Sequence, residues 1–444
     1  MRTQRLHARG APAVSTMFAG GWKDLMRKGL TLVHRYAGLA MAMFLIAAGL
    51  TGSILVWHEE IDGALNPRWF HAQSDGPTLS IPALIAAFER QAPEAEISFI
   101  RLPVHEGRSV EASMSGWTDP ARPGVRINRV FLDPATGDIL GVRSTVEPSA
   151  LRAGEIIPWL YRFHYSLTLG STGSYLMGFA ALAWLIDTFV AFYLTLPRGK
   201  SVWSRPFWSK WKPAWGIKKK RLNFDLHRAS GLWFLPVLFV LALSGVYLNL
   251  NDEVFRPVVH VFSPTTDPPY KEPALSQPVR EPALSWGDAI ARAEADMDAS
   301  GREHAGVAYM NHSAARAYYT VSFRTARDLA PDRSGARIYV DSRTGEIRHR
   351  EMVGEGTAGD ILMEWQFPLH SGHAFGLAGR IIIFVAGLVI TALSVTGIII
   401  WLRKRRARMG IPRAARRPGG APAGTSAPSA GAGAGAASPS FRSS

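Results

Sequence analysis

The chain has 444 residues, 47% of them hydrophobic, and its 50 Lys and Arg outnumber 35 Asp and Glu for a net charge of +15. It contains no cysteine, which excludes disulfides, cysteine-ligated iron–sulfur clusters, thiolate zinc sites and covalently attached c-type haem. Half of the basic residues flank apolar runs: seven in 1–35, nine in 197–223 and nine in 403–444, alongside a single acid. That pattern marks membrane topology and argues against nucleic-acid binding.

After an N-terminal segment (1–30), the first apolar run gives a span over 31–57. It is too long for a secretory signal and lacks a small-residue cleavage site, so it is read as retained. A small α+β domain is expected over 58–155, with a helix at 81–91, an alternating strand-like stretch and a hairpin at Asp133-Pro134-Ala135-Thr136-Gly137. An amphipathic, aromatic-rich helix (156–173) with Trp159 at the membrane interface leads into the second span (174–196). The basic linker (197–223), a third span (224–250) and a second α+β domain (251–359) follow. That domain repeats the order, with a helix at 287–297 and a hairpin at Asp341-Ser342-Arg343-Thr344-Gly345. Asp followed by Thr-Gly is turn chemistry, since the carboxylate accepts from the backbone and glycine tolerates positive φ. A second interfacial helix (360–378, with Trp365), a fourth span (379–402) and a disordered Ala/Gly/Pro/Ser-rich tail (403–444) complete the chain. The expected fold is a mainly α membrane protein of four transmembrane helices in two pseudo-symmetric halves, with two small α+β domains outside. The positive-inside rule places both termini and the linker in the cytoplasm.

The chain also repeats its histidines. Leu32-Val33-His34-Arg35-Tyr36-Ala37-Gly38 is echoed by Asp225-Leu226-His227-Arg228-Ala229-Ser230-Gly231, and Leu50-Thr51-Gly52 by Leu243-Ser244-Gly245. Trp159-x4-His164 is echoed by Trp365-x4-His370. Ionisable groups beside apolar spans default to a functional reading. His34 with His227 forms an expected inner pair, and His164 with His370 an outer pair. Such pairs suit bis-imidazole ligation of haem b, which needs axial nitrogens, an apolar slot and small residues but no cysteine. Gly38, Gly49, Gly52, Gly231 and Gly245 either make room for a macrocycle or serve as helix contacts. Arg35 and Arg228 are either propionate partners or topology anchors. His58 and His373 break the repeat and stand as reserve ligands. Asp187, inside span two, either serves a proton path or pairs with a neighbour. A zinc site of His58, Glu59, Glu60 and His164 is a weaker alternative, without His-Glu-x-x-His spacing. His105, His304, His312 and His349 read as ordinary histidines. No Gly-x-Gly-x-x-Gly or phosphate-loop motif is present, so no nicotinamide, flavin or ATP site is expected.

The motifs His34-Arg35-Tyr36-Ala37-Gly38-Leu39, Leu50-Thr51-Gly52, Glu60-Ile61-Asp62, Leu65-Asn66-Pro67, Phe163-His164-Tyr165-Ser166-Leu167 and Pro368-Leu369-His370-Ser371-Gly372-His373-Ala374-Phe375-Gly376 resemble those of the PepSY-associated transmembrane proteins. Some of these are ferric-siderophore reductases of the bacterial inner membrane. The resemblance covers about residues 30–405 and implies two haems b, on His34/His227 and His164/His370. It implies a reductase that moves electrons through b-type haem to a periplasmic ferric siderophore for iron release. With no nicotinamide, flavin or ATP motif in the chain, the electrons are expected from quinol or another protein. The alternatives are a non-enzymatic protein displaying PepSY domains to a peptidase or envelope partner, and a siderophore or metal transport component. Spacing along the first span puts the two pairs roughly 35 Å apart at 1.5 Å per residue, a long gap for direct transfer.

Overall fold

The computed structural model describes residues 14–119, 122–197, 205–212, 219–330 and 335–410. Expectations for 1–13, for 198–204 and 213–218 of the basic linker, and for the tail from 411 lie outside these residues. Helix α1 (Val14–Leu55) is unbroken, because no proline or strong turn interrupts it, and His34 therefore lies within a helix and not at its mouth. Two short helices, α2 (His58–Leu65) and α3 (Pro67–Phe70), lead to α4 (Ile81–Gln91) and strands β1 (Glu96–Arg101), β2 (Val110–Thr118), β3 (Arg126–Leu132) and β4 (Ile139–Arg143). Then come α5 (Ile156–Ser166), α6 (Gly170–Thr195), α7 (Arg205–Trp208), α8 (Lys219–Trp233), α9 (Leu235–Asn249) and α10 (Arg256–Phe262). The second strand set follows α11 (Trp286–Ala299): β5 (Val307–Ser313), β6 (Tyr318–Phe323), β7 (Ala336–Asp341) and β8 (Ile347–Glu351). The last two helices are α12 (Ala358–Ser371) and α13 (Gly376–Arg408). The chain divides into Met1–Trp401, which holds the sheet and the histidines, and Leu402–Ser444.

The expected fold class is corrected in two respects. The eight strands do not make two small domains. They form one antiparallel sheet in the order β4-β3-β2-β1-β5-β6-β7-β8. Strands β1 and β5, each the edge of its own set, pair through Phe99↔Asn311, Ile100↔Met310 and Arg101↔Tyr309. Joining edges satisfies backbone groups that two separate sheets would expose. Helices α4 and α11 cover one face of this sheet over a single apolar core, in which Leu84, Phe88, Ile100 and Val130 are continuous with Met297, Met310, Val321 and Ile338.

The helical layer is the second correction, since it is not a symmetric set of four equal helices. Among the described residues three helices are long and apolar enough to cross a membrane, at Gly21–Leu55, Gly170–Thr195 and His373–Arg408. The remaining apolar stretch is Arg221–Trp233 followed by Leu235–Asn249, bent by 70°. The cause is Pro236, whose ring excludes an N–H bond and crowds the carbonyl of Leu232. The chain is thus a mixed α/β membrane protein, with a broad sheet beside a layer of apolar helices.

Local chemistry explains the parts that position the histidines. Ser80 and Ser285 cap α4 and α11 by accepting from the N–H groups of Ala83 and Asp288. In the hairpins the Asp133 carboxylate accepts from Ala135 and Thr136, and Asp341 from Arg343 and Thr344, while Gly137 and Gly345 take φ of +76° and +78°. A Cβ on Gly173 would lie 1.7 Å from the Ser166 carbonyl oxygen, and one on Gly379 would lie 2.1 Å from that of Gly372. These glycines let α6 and α13 start hard against the ends of α5 and α12. Helices α1 and α13 cross at Gly49 and Gly387, where either added Cβ would meet the other backbone carbonyl within 2.6 Å.

Candidate functional site

The four repeated histidines converge in the pairs expected. His34 on α1 faces His227 on α8, with ring centres 6.3 Å apart and planes at 60°. His164 on α5 faces His370 on α12 at 6.2 Å and 65°. We term these the sheet-distal and sheet-proximal pairs.

The proton on each ring is assigned by its neighbours. His164 Nδ1 lies 2.9 Å from the Thr51 hydroxyl, which donates its one proton to the Ala47 carbonyl at 2.6 Å. His370 Nδ1 meets Ser244 at 2.8 Å, and Ser244 donates to Val240 at 2.7 Å. His227 Nδ1 meets Thr396 at 2.9 Å, and Thr396 donates to Ala392 at 2.6 Å. Each hydroxyl, its proton committed to the carbonyl four residues back on its own helix, accepts from the imidazole. His34 Nδ1 lies 2.9 Å from Oδ2 and 3.1 Å from Oδ1 of Asp187, whose carboxylate oxygens accept. All four rings therefore carry hydrogen on Nδ1 and leave the Nε2 lone pair for a metal, with the outer partner fixing tautomer and orientation.

These residues fit a haem iron. Two imidazoles that ligate one metal from opposite sides, at about 2 Å per metal–nitrogen bond, set their ring centres about 6 Å apart. Space is available beside the distal pair. A Cβ on Gly38, four residues after His34, would meet nothing within 4 Å, and one on Gly231, four after His227, only Leu393 at 3.7 Å. Of the other candidate glycines, Gly49 is a helix contact and Gly245 packs against Ala181. Gly52 and Gly397 have a different use. Each follows a threonine that bonds an imidazole, and an added Cβ would sit 3.0 Å from His164 Cε1 and 3.4 Å from His227 Cε1, respectively. Thr-Gly thus supplies the acceptor and clears room for the ring.

The reserve residues lie elsewhere. His58 starts α2, with Nδ1 on the Leu55 carbonyl at 2.9 Å. His373 lies in the turn between α12 and α13 and bonds Ser371 at 2.9 Å. Neither joins a histidine pair. Arg228 pairs with Asp225 at 3.0 Å and donates to the Lys210 carbonyl, so protein groups already hold it. Arg35 has no ion-pair partner among the described residues, which leaves it the freer guanidinium beside His34. Among the described residues no three His, Asp or Glu gather to hold a metal, which removes the zinc arrangement of His58, Glu59, Glu60 and His164. His304, His312 and His349 pack on Phe323, Tyr319 and Tyr339 in the sheet, and burial lowers the His312 pKa. His105 is exposed.

The face of the sheet opposite α4 and α11 mixes aromatic and charged side chains. Trp69 and Phe70 of α3 stack on Phe131, and Asp62 of α2 pairs with Arg143 of β4 at 2.7 Å. Burial pushes the Asp62 carboxyl above its ordinary range, against the pull of Arg143. Across the β1–β5 joint a hollow is lined by Phe99, Arg101, Ser113, Arg129, Asn311 and Tyr318.

The hydroxyl acceptors were the part that sequence reasoning missed. Thr51 and Ser244 already stood in the repeated Leu-Thr-Gly and Leu-Ser-Gly steps, and Val395-Thr396-Gly397 is a third instance of the same signal. No curated protein matches the chain. The family model described as the PepSY-associated TM region matches residues 31–404, a stretch that holds both histidine pairs and all eight strands. The chain therefore belongs to the PepSY-associated transmembrane family.

Proposed function

We propose that the protein is a di-haem electron-transfer protein of a bacterial inner membrane that reduces ferric chelates of the siderophore class. The observation that carries this reading is the paired histidine geometry: four rings, two facing pairs and every Nδ1 tied to an acceptor. His34 and His227 would hold one haem b, and His164 and His370 the other. When bound, haem b supplies a one-electron carrier in an apolar setting. The chain's own residues set its conditions. Asp187, Thr51, Thr396 and Ser244 hold the imidazoles in the ligating tautomer.

The pairs lie closer than residue counting along span one suggested. His164 reaches down to Thr51, so the two levels are separated by the rise from His34 to Thr51 on α1, about 25 Å. The basic residues Lys23, Arg27, Lys28 and Arg35 on the N-terminal part of α1 support a cytoplasmic placement of the helix ends away from the sheet. The sheet then faces the periplasm, and its hollow, where Arg101 lies beside the Glu111-paired Arg129, is the surface an anionic oxygen chelate would meet. The net reaction takes one electron per Fe(III) chelate, from a quinol or a reduced protein, and yields Fe(II) and free chelator. Reduction releases the metal because hard oxygen donors hold Fe(II) far less tightly.

The test is a dithionite-reduced minus oxidised spectrum of the purified protein. Absence of b-type bands would sink the reading and leave a protein that displays its sheet to a partner. With haem present, Fe(II) trapped from a ferric hydroxamate under a quinol donor checks the activity.

A further inference from the structure

The four histidines differ in one respect that the sequence repeat does not carry. Three meet a neutral hydroxyl, whereas His34 meets the carboxylate of Asp187. Asp187 is buried at 5% exposure, and among the described residues no lysine or arginine pairs with it. A carboxylate buried among apolar helices needs a hydrogen-bond donor to hold it, and the Nδ1–H of the neutral His34 ring is the group it faces.

We infer that Asp187 is a positioning residue that makes the His34/His227 centre the more reducing of the two. The inference rests on the haem reading above. A charge-assisted bond from Nδ1–H to a carboxylate is stronger than one to a hydroxyl. It pushes electron density into the imidazole and makes Nε2 the more basic ligand. A more basic ligand, with a fixed negative charge behind it, stabilises the ferric over the ferrous state and lowers the reduction potential. At the His164/His370 centre both outer partners are hydroxyls whose protons are committed to their own helices, so neither can strengthen its bond in this way. The two centres are therefore graded, with the stronger reductant at the end away from the sheet. That grading favours electron flow towards the sheet.

A spectroelectrochemical titration of the full-length protein tests this. Two midpoint potentials are expected, and the lower must belong to the centre that His227→Ala removes. Asp187→Asn should shift only that midpoint, upward, and change the low-spin ferric EPR signal of that centre alone, while Asp187→Glu restores both in part. The inference is overturned if the lower midpoint belongs to the centre lost in His370→Ala, a result that needs no Asp187 variant to fold. It is equally overturned if Asp187→Asn leaves both midpoints in place or moves the other one. Failure of the haem reading looks different: the unmodified protein then shows no b-type spectrum at all, and both conclusions fall together.

Discussion

The sheet and the helical layer handle buried polar groups in opposite ways. In the sheet, polar side chains pair with one another: Asp62 with Arg143, Glu111 with Arg129, Arg337 with Glu351, and the hairpin aspartates with their own backbone. In the helices, the hydroxyls and the carboxylate at the two pair sites turn to histidine, and the histidines keep a nitrogen in reserve. The sheet's ion pairs are not complete, since Arg129, Arg143 and Arg337 each keep a buried Nε without a hydrogen-bond partner. At the two pair sites each acceptor is spent on an imidazole Nδ1, which holds Nε2 in the tautomer that could ligate a metal.

Substitutions can break this contrast at either end. The largest effect is expected from His370→Ala, which should abolish one b-type centre and spare the other, read from the reduced-minus-oxidised spectrum and the haem-to-protein ratio. Phe88→Ala, in the sheet core, should cost about 3–5 kcal/mol in denaturant or thermal unfolding of the sheet. It should leave both haem spectra intact below the transition. Thr51→Val removes an acceptor without touching a ligand and should weaken haem retention at the proximal pair by about 10–100-fold in a haem-transfer assay to apomyoglobin. Smallest is Asp133→Asn, at about 1–2 kcal/mol of sheet stability. Burial pushes the Asp133 carboxyl up, but four backbone N–H bonds, from Gln73, Ser74, Ala135 and Thr136, outweigh this and hold it below its ordinary value. Its stabilisation is therefore complete above the ordinary aspartate range and fades as pH falls through the lowered value. Acid unfolding of the wild type should show that loss, and Asp133→Asn should lack it.

How far the sequence was legible follows the range of each interaction. The hairpins and helix caps are local, so Asp133, Asp341, Ser80 and Ser285 announced them. The histidine pairs were legible because the chain repeats them. The joining of two strand sets into one sheet was not, since β1 and β5 are more than two hundred residues apart and an edge strand does not encode its neighbour. The bend at Phe234 had a visible cause in Pro236, yet an apolar run reads the same whether straight or broken. Asp187 was conspicuous as a carboxylate in a span, but periodicity alone cannot say which helix lies opposite.

The acceptors also bear on how the protein is made. Each imidazole takes its bond from a helix other than its own: His34 on α1 from α6, His164 on α5 from α1, His227 on α8 from α13 and His370 on α12 from α9. During synthesis the proximal pair has all its parts once α12 has emerged. The distal pair must wait for Thr396, deep in the last helix. A ribosome that stalls within α13 therefore leaves a product whose proximal histidines both have their acceptors and whose His227 does not.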